Sequence, residues 1–260
     1  MSRILITPGI KEWNDPPELG HLDVAECFCD AFQGEGVYSG VPAVFLRLSG
    51  CRLNCRWCDT ADIWTSVNRI SLDSLERLFV SEGLTGLLGA GHHLVVTGGS
   101  PLLQQDMLAA FLRRLMDICP DKPFVEIENE CSVMVSARNL DLFRLVGCWN
   151  CSPKLAGSGV PEHLRYCPDA IRQISGEASE SWFKFVVPAE SIEPAWEEID
   201  AMFIRPGLVD RRKIILMPEG VSRKELSPRR CRAVAEFAVS RNVRYCGRLH
   251  IDLYDTRRSV

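Results

Sequence analysis

The sequence predicts an α/β fold in which crossover helices join parallel strands, as an open sheet or a closed barrel. Short apolar runs alternate with helical patterns about six times along the 260 residues, and this alternation is typical of parallel sheets covered by helices. Polar residues directly follow several apolar runs. Because reactive groups gather at the carboxyl ends of strands in β/α barrels, we expect one pocket to collect these residues within a single domain, residues 1–260.

The predicted strands are short apolar runs that end at turn or polar residues. In chain order they are VAECFCDAF, GVPAVFLRL, LVVTGG, PFVEIE, GCWNCS, WFKFVV and KIILMPEG. Between them, apolar residues recur at helical spacing. The predicted helices are SLDSLERLFVSEG, PLLQQDMLAAFLRRLMDIC, AESIEPAWEEIDAMFI and SRKELSPRRCRAVAEFAVSRN, with a weaker pattern in SVMVSARNLDLFRLV, residues 132–146.

Composition and charge exclude several classes of partner. The chain is 46% hydrophobic and 25% charged, as in ordinary globular proteins, and its net charge of −4 gives no electrostatic reason to expect nucleic acid. No apolar stretch approaches the roughly 20 residues of a membrane span, so we expect no membrane partner. The opening MSRILITPGIKEWNDPPELG lacks the pattern of a secretory leader. A cytoplasmic protein with reduced cysteines is therefore predicted.

Three cysteines in one short loop carry the main functional signal. Cys51, Cys55 and Cys58 form the pattern C-x-x-x-C-x-x-C within SGCRLNCRWCDT. Three thiolates at this spacing can hold three irons of a 4Fe-4S cluster and leave the fourth iron open to another ligand. Two other interpretations stay open on these residues alone. A structural zinc site would need a fourth ligand from a distant residue, and free cysteines also occur as small buried hydrophobic side chains.

Longer stretches around this loop resemble a known family. The run FQGEGVYSGVPAVFLRLSGCRLNCRWCDT, residues 32–60, is similar to the 7-carboxy-7-deazaguanine synthase family of the radical S-adenosylmethionine superfamily. The resemblance extends over almost the whole chain, through VVTGGSPLLQ, IENECSV, NCSPKLAGSG, FKFVVP, ILMPEG and RLHIDLYDTRRSV. QGEG before the triplet and CDT at its end distinguish this family from others that share only the cysteines, such as glycyl-radical activases. A non-catalytic zinc-binding module is the other alternative.

The resemblance implies a fold and a reaction. The fold would be a partial (β/α)6 TIM-like barrel of the radical S-adenosylmethionine type, with a C-terminal segment, about 244–260, that folds back toward the site. The reaction would convert 6-carboxy-5,6,7,8-tetrahydropterin to 7-carboxy-7-deazaguanine with loss of ammonia, in queuosine and deazapurine biosynthesis. In the family, S-adenosylmethionine is cleaved with an electron from the reduced cluster to give a radical that removes hydrogen from C6 of the pterin. Flavodoxin or ferredoxin as electron donor, Mg²⁺ and a homodimer are also implied.

The resemblance also assigns roles to individual residues. The expected metal ligands are Cys51, Cys55 and Cys58 for the cluster and Thr60 for Mg²⁺. The expected cofactor-binding residues are Gly98, Gly99, Ser100, Glu128, Ser152 and Lys154. The expected substrate-binding residues are Gln33, Glu35, Gly36, Arg47, Thr97 and His250.

Several of these roles have a physical basis in the side chains. The Glu35 carboxylate can accept two N–H donors from the guanidine-like edge of the pterin. The planar guanidinium of Arg47 can pair with the substrate carboxylate through two hydrogen bonds, although a salt bridge to a neighbouring acid is the alternative. Lys154 can neutralise a carboxylate as a point charge. The other cysteines, including the C-x-x-C pair Cys148 and Cys151, are expected to serve packing.

One position departs from the family pattern. The chain reads GGSP where the family usually has GGEP, so Ser100 replaces the acid that would pair with the methionyl ammonium of S-adenosylmethionine. Ser100 followed by Pro101 is a good helix N-cap. A weaker affinity for S-adenosylmethionine than in GGEP relatives is expected unless Glu126 or Glu128 supplies the missing charge, and a Ser100→Glu variant would test this expectation.

Overall fold

One ten-stranded sheet organises the computed structural model, which describes residues 2–16 and 20–259. Residues 17–19 of the polar start and residue 260 of the predicted C-terminal segment lie outside the described residues. The strands are β1 Arg3–Ile6, β2 His21–Phe32, β3 Pro42–Leu48, β4 Asn68–Ser71, β5 His93–Gly98, β6 Phe124–Asn129, β7 Cys148–Cys151, β8 Ser181–Val187, β9 Ile214–Pro218 and β10 Arg244–Tyr245.

The strand order is β1-β2-β3-β5-β6-β7-β8-β9-β10, with β4 paired to β2. Strands β3, β5, β6, β7, β8, β9 and β10 are parallel, whereas β1, β2 and β4 pair in antiparallel fashion. Within the described part of the chain no ladder joins β1 to β10, so the barrel is partial. This arrangement confirms the predicted α/β class and the alternation of strands and crossover helices.

Helices follow most of the parallel strands. They are α1 Ala61–Trp64, α2 Leu72–Ser81, α3 Leu84–Gly89, α4 Gln105–Ile118, α5 Leu142–Leu145, α6 Glu162–Arg165, α7 Pro168–Glu177, α8 Ile192–Ile199, α9 Pro228–Ser240 and α10 Leu249–Tyr254. Ser71 caps α2, because its Oγ accepts a hydrogen bond from the Ser74 N–H at 3.2 Å. Helices α7 and α9 begin with proline, whose fixed φ suits the first helical position.

The predicted helix over residues 132–146 is wrong. Only a 3₁₀ turn at Ala137–Asn139 and the short α5 form there. Side chains of other helices bond the backbone of the preceding segment instead: Gln173 Oε1 accepts from the Val135 N–H at 3.0 Å, and Gln105 Oε1 accepts from the Ser136 N–H at 2.7 Å. These bonds satisfy the backbone in an extended path, so a helix is not needed.

Helix α9 also differs from its predicted extent. Helix α9 begins at Pro228, so SRKELS is not helical, since a residue before proline disfavours the helical region. Strands β1, β4 and β10 and helices α1, α3, α6, α7 and α10 carried no sequence prediction. These elements are short or polar enough that their apolar pattern is weak.

The hydrophobic core lies between the sheet and the helices. The rings of Phe79 in α2 and Phe111 in α4 meet edge to face with centroids 5.2 Å apart, and both side chains are fully buried. Strand β8 is buried at almost every position, as expected for a parallel strand covered on both faces. Among the described helices, none combines the length and apolar character needed to cross a bilayer.

Candidate functional site

A cavity of about 740 Å³ opens at the carboxyl ends of the parallel strands, a size typical of small-molecule sites. The cysteine loop after β3, the ends of β5 to β9 and the C-terminal segment all contribute to its wall. Every site residue predicted from the sequence lines this cavity except Gly36 and Ser100. Gly36 lies in a turn with φ 72° beside Asn150, and Ser100 is fully buried.

The three thiols of the cysteine loop are free and partly exposed to the cavity. The Trp64 Nε1–H donates to Cys58 Sγ at 3.5 Å, and the Leu53 N–H donates to Cys51 Sγ at 3.4 Å. Burial raises the pKa of the Cys55 thiol, while the Lys154 ammonium acts in the opposite direction. A bound metal would favour the thiolate at each of these positions.

The donor set and its surroundings fit a 4Fe-4S cluster. A Cβ at Gly99 would lie 2.1 Å from the Gly50 oxygen and 2.6 Å from Cys51 Cβ, so the glycine backbone packs directly against the first cysteine. In the described residues, no three thiol, imidazole or carboxylate groups are gathered closely enough to hold a single ion. A cluster binds each thiolate through a different iron, so the three thiols on one cavity wall can hold three of its four irons.

A group of buried and half-buried charged side chains, here called the charge cluster, forms another part of the wall. It consists of Glu35, Asp59, Glu128, Lys184 and Arg248. Lys184 Nζ lies 2.5 Å from Glu35 Oε2 and 3.4 Å from Glu128 Oε2, and Arg248 Nε lies 2.7 Å from Glu35 Oε1. Arg248 also pairs with Asp59. The charge cluster thereby joins the QGEG turn, β6, β8, the cysteine loop and the C-terminal segment.

Burial and ion pairing shift the pKa values within the charge cluster. Burial would raise the pKa of Glu35, but Lys184 and Arg248 overcome it and hold the pKa well below its usual range. For Glu128, burial prevails over the attraction of Lys184, and the pKa is raised. Burial opposes the charged form of Lys184, yet Glu128 and Glu35 raise its pKa. The shifts therefore favour the charged forms of both Glu35 and Lys184, and Glu128 is the carboxyl group most easily protonated among those with shifted pKa values.

Gln33 lies beside the charge cluster and is buried. Its Nε2 is 3.3 Å from both Glu126 Oε2 and Glu128 Oε1, and its Oε1 accepts from the Glu35 N–H at 3.3 Å. Glu126 is fully buried and also contacts His93 Nδ1 at 2.7 Å and Asn150 Nδ2 at 2.6 Å. The Gln33 amide thus holds the QGEG turn against the end of β6.

Arg47 forms the salt bridge that was the alternative to ligand binding. Its Nε lies 2.7 Å from Glu26 Oε1, and Glu26 is 1% exposed. The Ser259 hydroxyl donates to the other Glu26 oxygen at 2.9 Å. Arg47 nevertheless lines the cavity wall. The salt bridge therefore holds its guanidinium in place at the carboxyl end of β3.

The C-terminal segment reaches the cavity through α10. The Leu249 N–H donates to the Gly34 oxygen at 2.9 Å, and His250 packs over the same glycine. Burial lowers the pKa of His250, so the imidazole is mainly neutral at pH 7. Arg248 Nη1 donates to the Gly220 oxygen at 2.7 Å, which ties the segment to the end of β9.

The remaining predicted residues lie around the cysteine loop. Lys154 Nζ is 3.1 Å from Ser152 Oγ and 5.5 Å from the centroid of the Trp57 ring. Thr60 stands at the N-cap of α1 without a side-chain capping bond, and its Oγ1 is 3.8 Å from Cys58 Sγ. Thr97 in β5 is the register partner of Arg47 in the neighbouring strand β3.

The prediction that the Ser100 side chain caps a helix is wrong, although the residue occupies the N-cap position. Ser100 does occupy the N-cap before the 3₁₀ turn Pro101–Gln104, but it makes no side-chain capping bond. Its hydroxyl donates to Glu130 instead. The hydroxyl hydrogen is directed to Glu130, because a carboxylate accepts a stronger hydrogen bond than a neutral group does.

Three site residues were missed by sequence reasoning: Lys184, Arg248 and Glu130. A signal existed for Lys184, since a lone lysine inside the apolar run WFKFVV must be buried and paired. Arg248 precedes the predicted His250 by two positions and gave no separate signal. Glu130 follows two other acids in EIENE, and the sequence does not tell which of them lacks a cation.

The fold and the cavity define a radical S-adenosylmethionine enzyme with one 4Fe-4S cluster. Residues 32–138 match a family model described as a 4Fe-4S single cluster domain. The solved structure of QueE from Escherichia coli superimposes with a TM-score of 0.62 at 23% identity, covering 88% of this chain and 95% of that chain, which supports the fold.

Two curated relatives identify the family. The 7-carboxy-7-deazaguanine synthase of Pyrobaculum aerophilum is 31% identical over 240 residues, which are 90% of this chain and 96% of the relative. The enzyme of the same name from Rhodopirellula baltica is 30% identical over 253 residues, 92% of this chain and 89% of the relative. The chain belongs to the 7-carboxy-7-deazaguanine synthase family. This confirms the predicted family, the cluster and S-adenosylmethionine, and it disfavours the zinc-module and activase alternatives.

Proposed function

We propose that this chain converts 6-carboxy-5,6,7,8-tetrahydropterin to 7-carboxy-7-deazaguanine with loss of ammonia, in queuosine and deazapurine biosynthesis. The supporting observation is the arrangement of the cavity: the free thiols of Cys51, Cys55 and Cys58 and the charge cluster line the same space. A radical cofactor and a small polar substrate would therefore meet there. The curated relatives bear the name of this activity over nearly the whole chain.

Cofactor binding would rest on the cysteine loop and on the strand ends beside it. Cys51, Cys55 and Cys58 would hold three corners of the cluster. The backbone of Gly98 and Gly99, with Thr97, Glu128, Ser152 and Lys154 on the cavity wall, would surround S-adenosylmethionine and the adjoining substrate. When bound, the cluster and S-adenosylmethionine supply the radical that removes a hydrogen atom from the pterin.

Substrate binding would use the charge cluster and its neighbours. Glu35 stays ionised because Lys184 and Arg248 lower its pKa, so it can accept N–H donors from the pterin at any pH near neutrality. Gln33 gives and accepts hydrogen bonds at the same turn. Arg47, held by Glu26, would face the substrate carboxylate, and His250 would close the site from the C-terminal side.

Exclusion of water follows from the way the C-terminal segment is held. Arg248 contacts Glu35, Asp59 and the Gly220 oxygen, and this network keeps α10 over the cavity. A reactive radical must be shielded from solvent. The segment therefore contributes protection as well as contacts to the substrate.

Further parts of the proposal concern metal and partners. Thr60 would contribute a hydroxyl oxygen to Mg²⁺, together with oxygens of the substrate, since Mg²⁺ prefers hard oxygen ligands. Flavodoxin or ferredoxin would deliver the electron, and the active form would be a homodimer. All twelve cysteines are free, which suits the reducing cytoplasm.

Anaerobic turnover tests the proposed activity. The reconstituted chain is incubated with S-adenosylmethionine, reductant and carboxytetrahydropterin, and the products are read by mass spectrometry. We expect 7-carboxy-7-deazaguanine, and we expect none from a Cys55→Ala variant. Consumption of the pterin without the ring-contracted acid, or no consumption by fully iron-loaded protein, would contradict the proposed reaction.

A further inference from the structure

Ser100 and Glu130 form a buried pair next to the cysteine loop. The Ser100 hydroxyl donates to Glu130 Oε1, and the Ser132 hydroxyl donates to the same oxygen at 2.7 Å. Ser100 is fully buried and Glu130 is 5% exposed. The Ser100 N–H donates to the Gly50 oxygen at 2.9 Å. Because Gly50 directly precedes Cys51, this bond places the pair beside the cysteine loop.

The second Glu130 oxygen has no partner. Oε2 is buried without a hydrogen bond, and within the described residues Glu130 takes part in no ion pair, although it lines the cavity. Asn129 Oδ1 is another buried acceptor without a donor, and Asn129 lines the cavity as well. Two adjacent residues thus present unused acceptors at one place.

Several other carboxylates on the cavity wall already have cationic partners. Glu26 pairs with Arg47, Glu35 with Lys184 and Arg248, and Glu128 with Lys184. Glu126, which lies outside the cavity, contacts His93 and Asn150. Neither Glu126 nor Glu128 is therefore free to supply the charge that Ser100 lacks.

An ionised carboxylate buried without a cation is costly, and it marks a place where a cationic ligand is expected. The methionyl end of S-adenosylmethionine carries a primary ammonium with three N–H donors. Gly98 and Gly99 immediately precede Ser100, line the cavity and pack directly against the end of β3 and the cysteine loop. The unpaired acceptors stand where that end of the cofactor would approach a cluster bound by the three cysteines.

We propose that Glu130 accepts the methionyl ammonium of S-adenosylmethionine, and that Ser100 and Ser132 hold the carboxylate in position. The charge that GGEP relatives carry at position 100 is supplied here from the end of β6. This inference rests on the proposed function for its ligand. It also changes the expectation for position 100, because the GGSP sequence no longer implies a weak affinity.

Affinity for S-adenosylmethionine, measured without pterin on the anaerobically reconstituted chain, tests the proposal. Glu130→Gln keeps the shape of the side chain and removes its charge. We expect its Kd to rise by about 10-fold to 100-fold, the range of a lost charge-assisted hydrogen bond. An analogue in which hydrogen replaces the α-amino group should bind the parent chain and Glu130→Gln equally. An unchanged Kd for S-adenosylmethionine would overturn the proposal.

A reciprocal exchange gives a second test. Ser100→Glu alone places two carboxylates against each other, so we expect weaker binding rather than stronger. Adding Glu130→Ser to that variant should return the Kd to within about threefold of the parent value. Tighter binding by the single Ser100→Glu variant would show that position 130 does not carry the charge.

Thermal unfolding separates ligand binding from a role in the fold. Without S-adenosylmethionine, Glu130→Gln should be at least as stable as the parent chain, because it removes an unpaired buried charge. Addition of S-adenosylmethionine should raise the Tm of the parent chain more than it raises the Tm of Glu130→Gln. A loss of both Tm and iron content in the ligand-free variant would assign Glu130 to the fold and overturn the proposal.

The outcomes also separate this inference from the proposed function. Loss of affinity in Glu130→Gln, in a parent chain that makes no ring-contracted acid, would uphold the inference and remove the proposed substrate. Normal ring contraction by the parent chain, together with an unaffected Kd in Glu130→Gln, would support the proposed substrate and overturn the inference.

Discussion

His250 occupies the space that a side chain at Gly34 would need: a Cβ built on Gly34 would lie 2.1 Å from His250 Nδ1. The neighbouring Leu249 N–H donates to the Gly34 oxygen at 2.9 Å. The glycine between Gln33 and Glu35 is therefore required by the close approach of α10. It joins the QGEG turn, near the start of the chain, to the C-terminal segment.

Replacing this glycine should move α10 away from the cavity. For Gly34→Ala we expect the KM for the pterin to rise by about tenfold or more, because a small displacement of positioning residues has large effects. Iron content should stay unchanged, since the nearest atoms to a Cβ at this position belong to His250 and not to a cysteine. Steady-state kinetics and iron analysis measure both quantities.

Gly86→Ala is the matched control, because a Cβ there meets nothing within 4 Å. It lies in α3 and should leave the kinetics unaltered. A Gly34→Ala enzyme with the parent KM would show that α10 does not depend on this contact.

Lys184 should be essential to stability as well as to binding. Lys184→Met would leave Glu128 buried without its cation, and we expect a loss of about 3–5 kcal/mol, typical of a broken buried ion pair. Adding Glu128→Gln should restore part of this loss, because no unpaired carboxylate then remains at that position. Anaerobic denaturant unfolding of the parent chain, the two single variants and the double variant measures the coupling free energy between Lys184 and Glu128. Additive effects of the two substitutions would exclude the coupling.

The neutral state of His250 predicts a pH dependence. Burial lowers its folded pKa below the ordinary 6.5, so folding opposes protonation, and the resulting stability is present above pH 6.5 and lost as the pH falls through the folded pKa. Arg248 and Lys184 reinforce the shift, whereas Glu35 and Asp59 oppose it. Between pH 8 and 5.5 we expect the Tm of His250→Gln to fall about 2 °C less than that of the parent chain. Parallel pH profiles would contradict a buried neutral imidazole.

The cysteines should divide into two groups. Cys55→Ala should lose most of its iron, because two thiolates cannot hold a cubane cluster firmly. Cys148→Ala should keep its iron, because Cys148 is buried and burial raises the pKa of its thiol far above neutrality. Iron analysis and the visible spectrum after anaerobic reconstitution measure both. Loss of iron in Cys148→Ala would point to a second metal-binding role for the C-x-x-C pair.

Local patterns were sufficient to predict the parallel strands and the cavity at their ends. The run LVVTGG predicts both the strand and the glycine turn that packs on Cys51, because apolar periodicity and glycine act locally. Residues 132–146 could not be predicted in this way. Their path depends on Gln105 and Gln173, which come from distant helices, and no local rule contains such contacts.

The polar partners within the site could not be predicted either. Arg47 was expected to face a ligand, and the sequence does not show that Glu26 lies opposite it on β2, since this depends on strand register. For Ser100, a weaker affinity was expected unless Glu126 or Glu128 supplied the missing charge. It is Glu130 that meets Ser100, and this contact depends on the pairing of β5 with β6.

Electron paramagnetic resonance of the reduced protein, recorded with and without S-adenosylmethionine, tests whether the three cysteines hold a cluster with one open iron. Three cysteine ligands leave one iron open, so the spectrum should correspond to about one 4Fe-4S cluster per chain and should change shape when S-adenosylmethionine binds. A cluster whose spectrum is indifferent to S-adenosylmethionine, or a chain that binds no iron after reconstitution, would contradict the account.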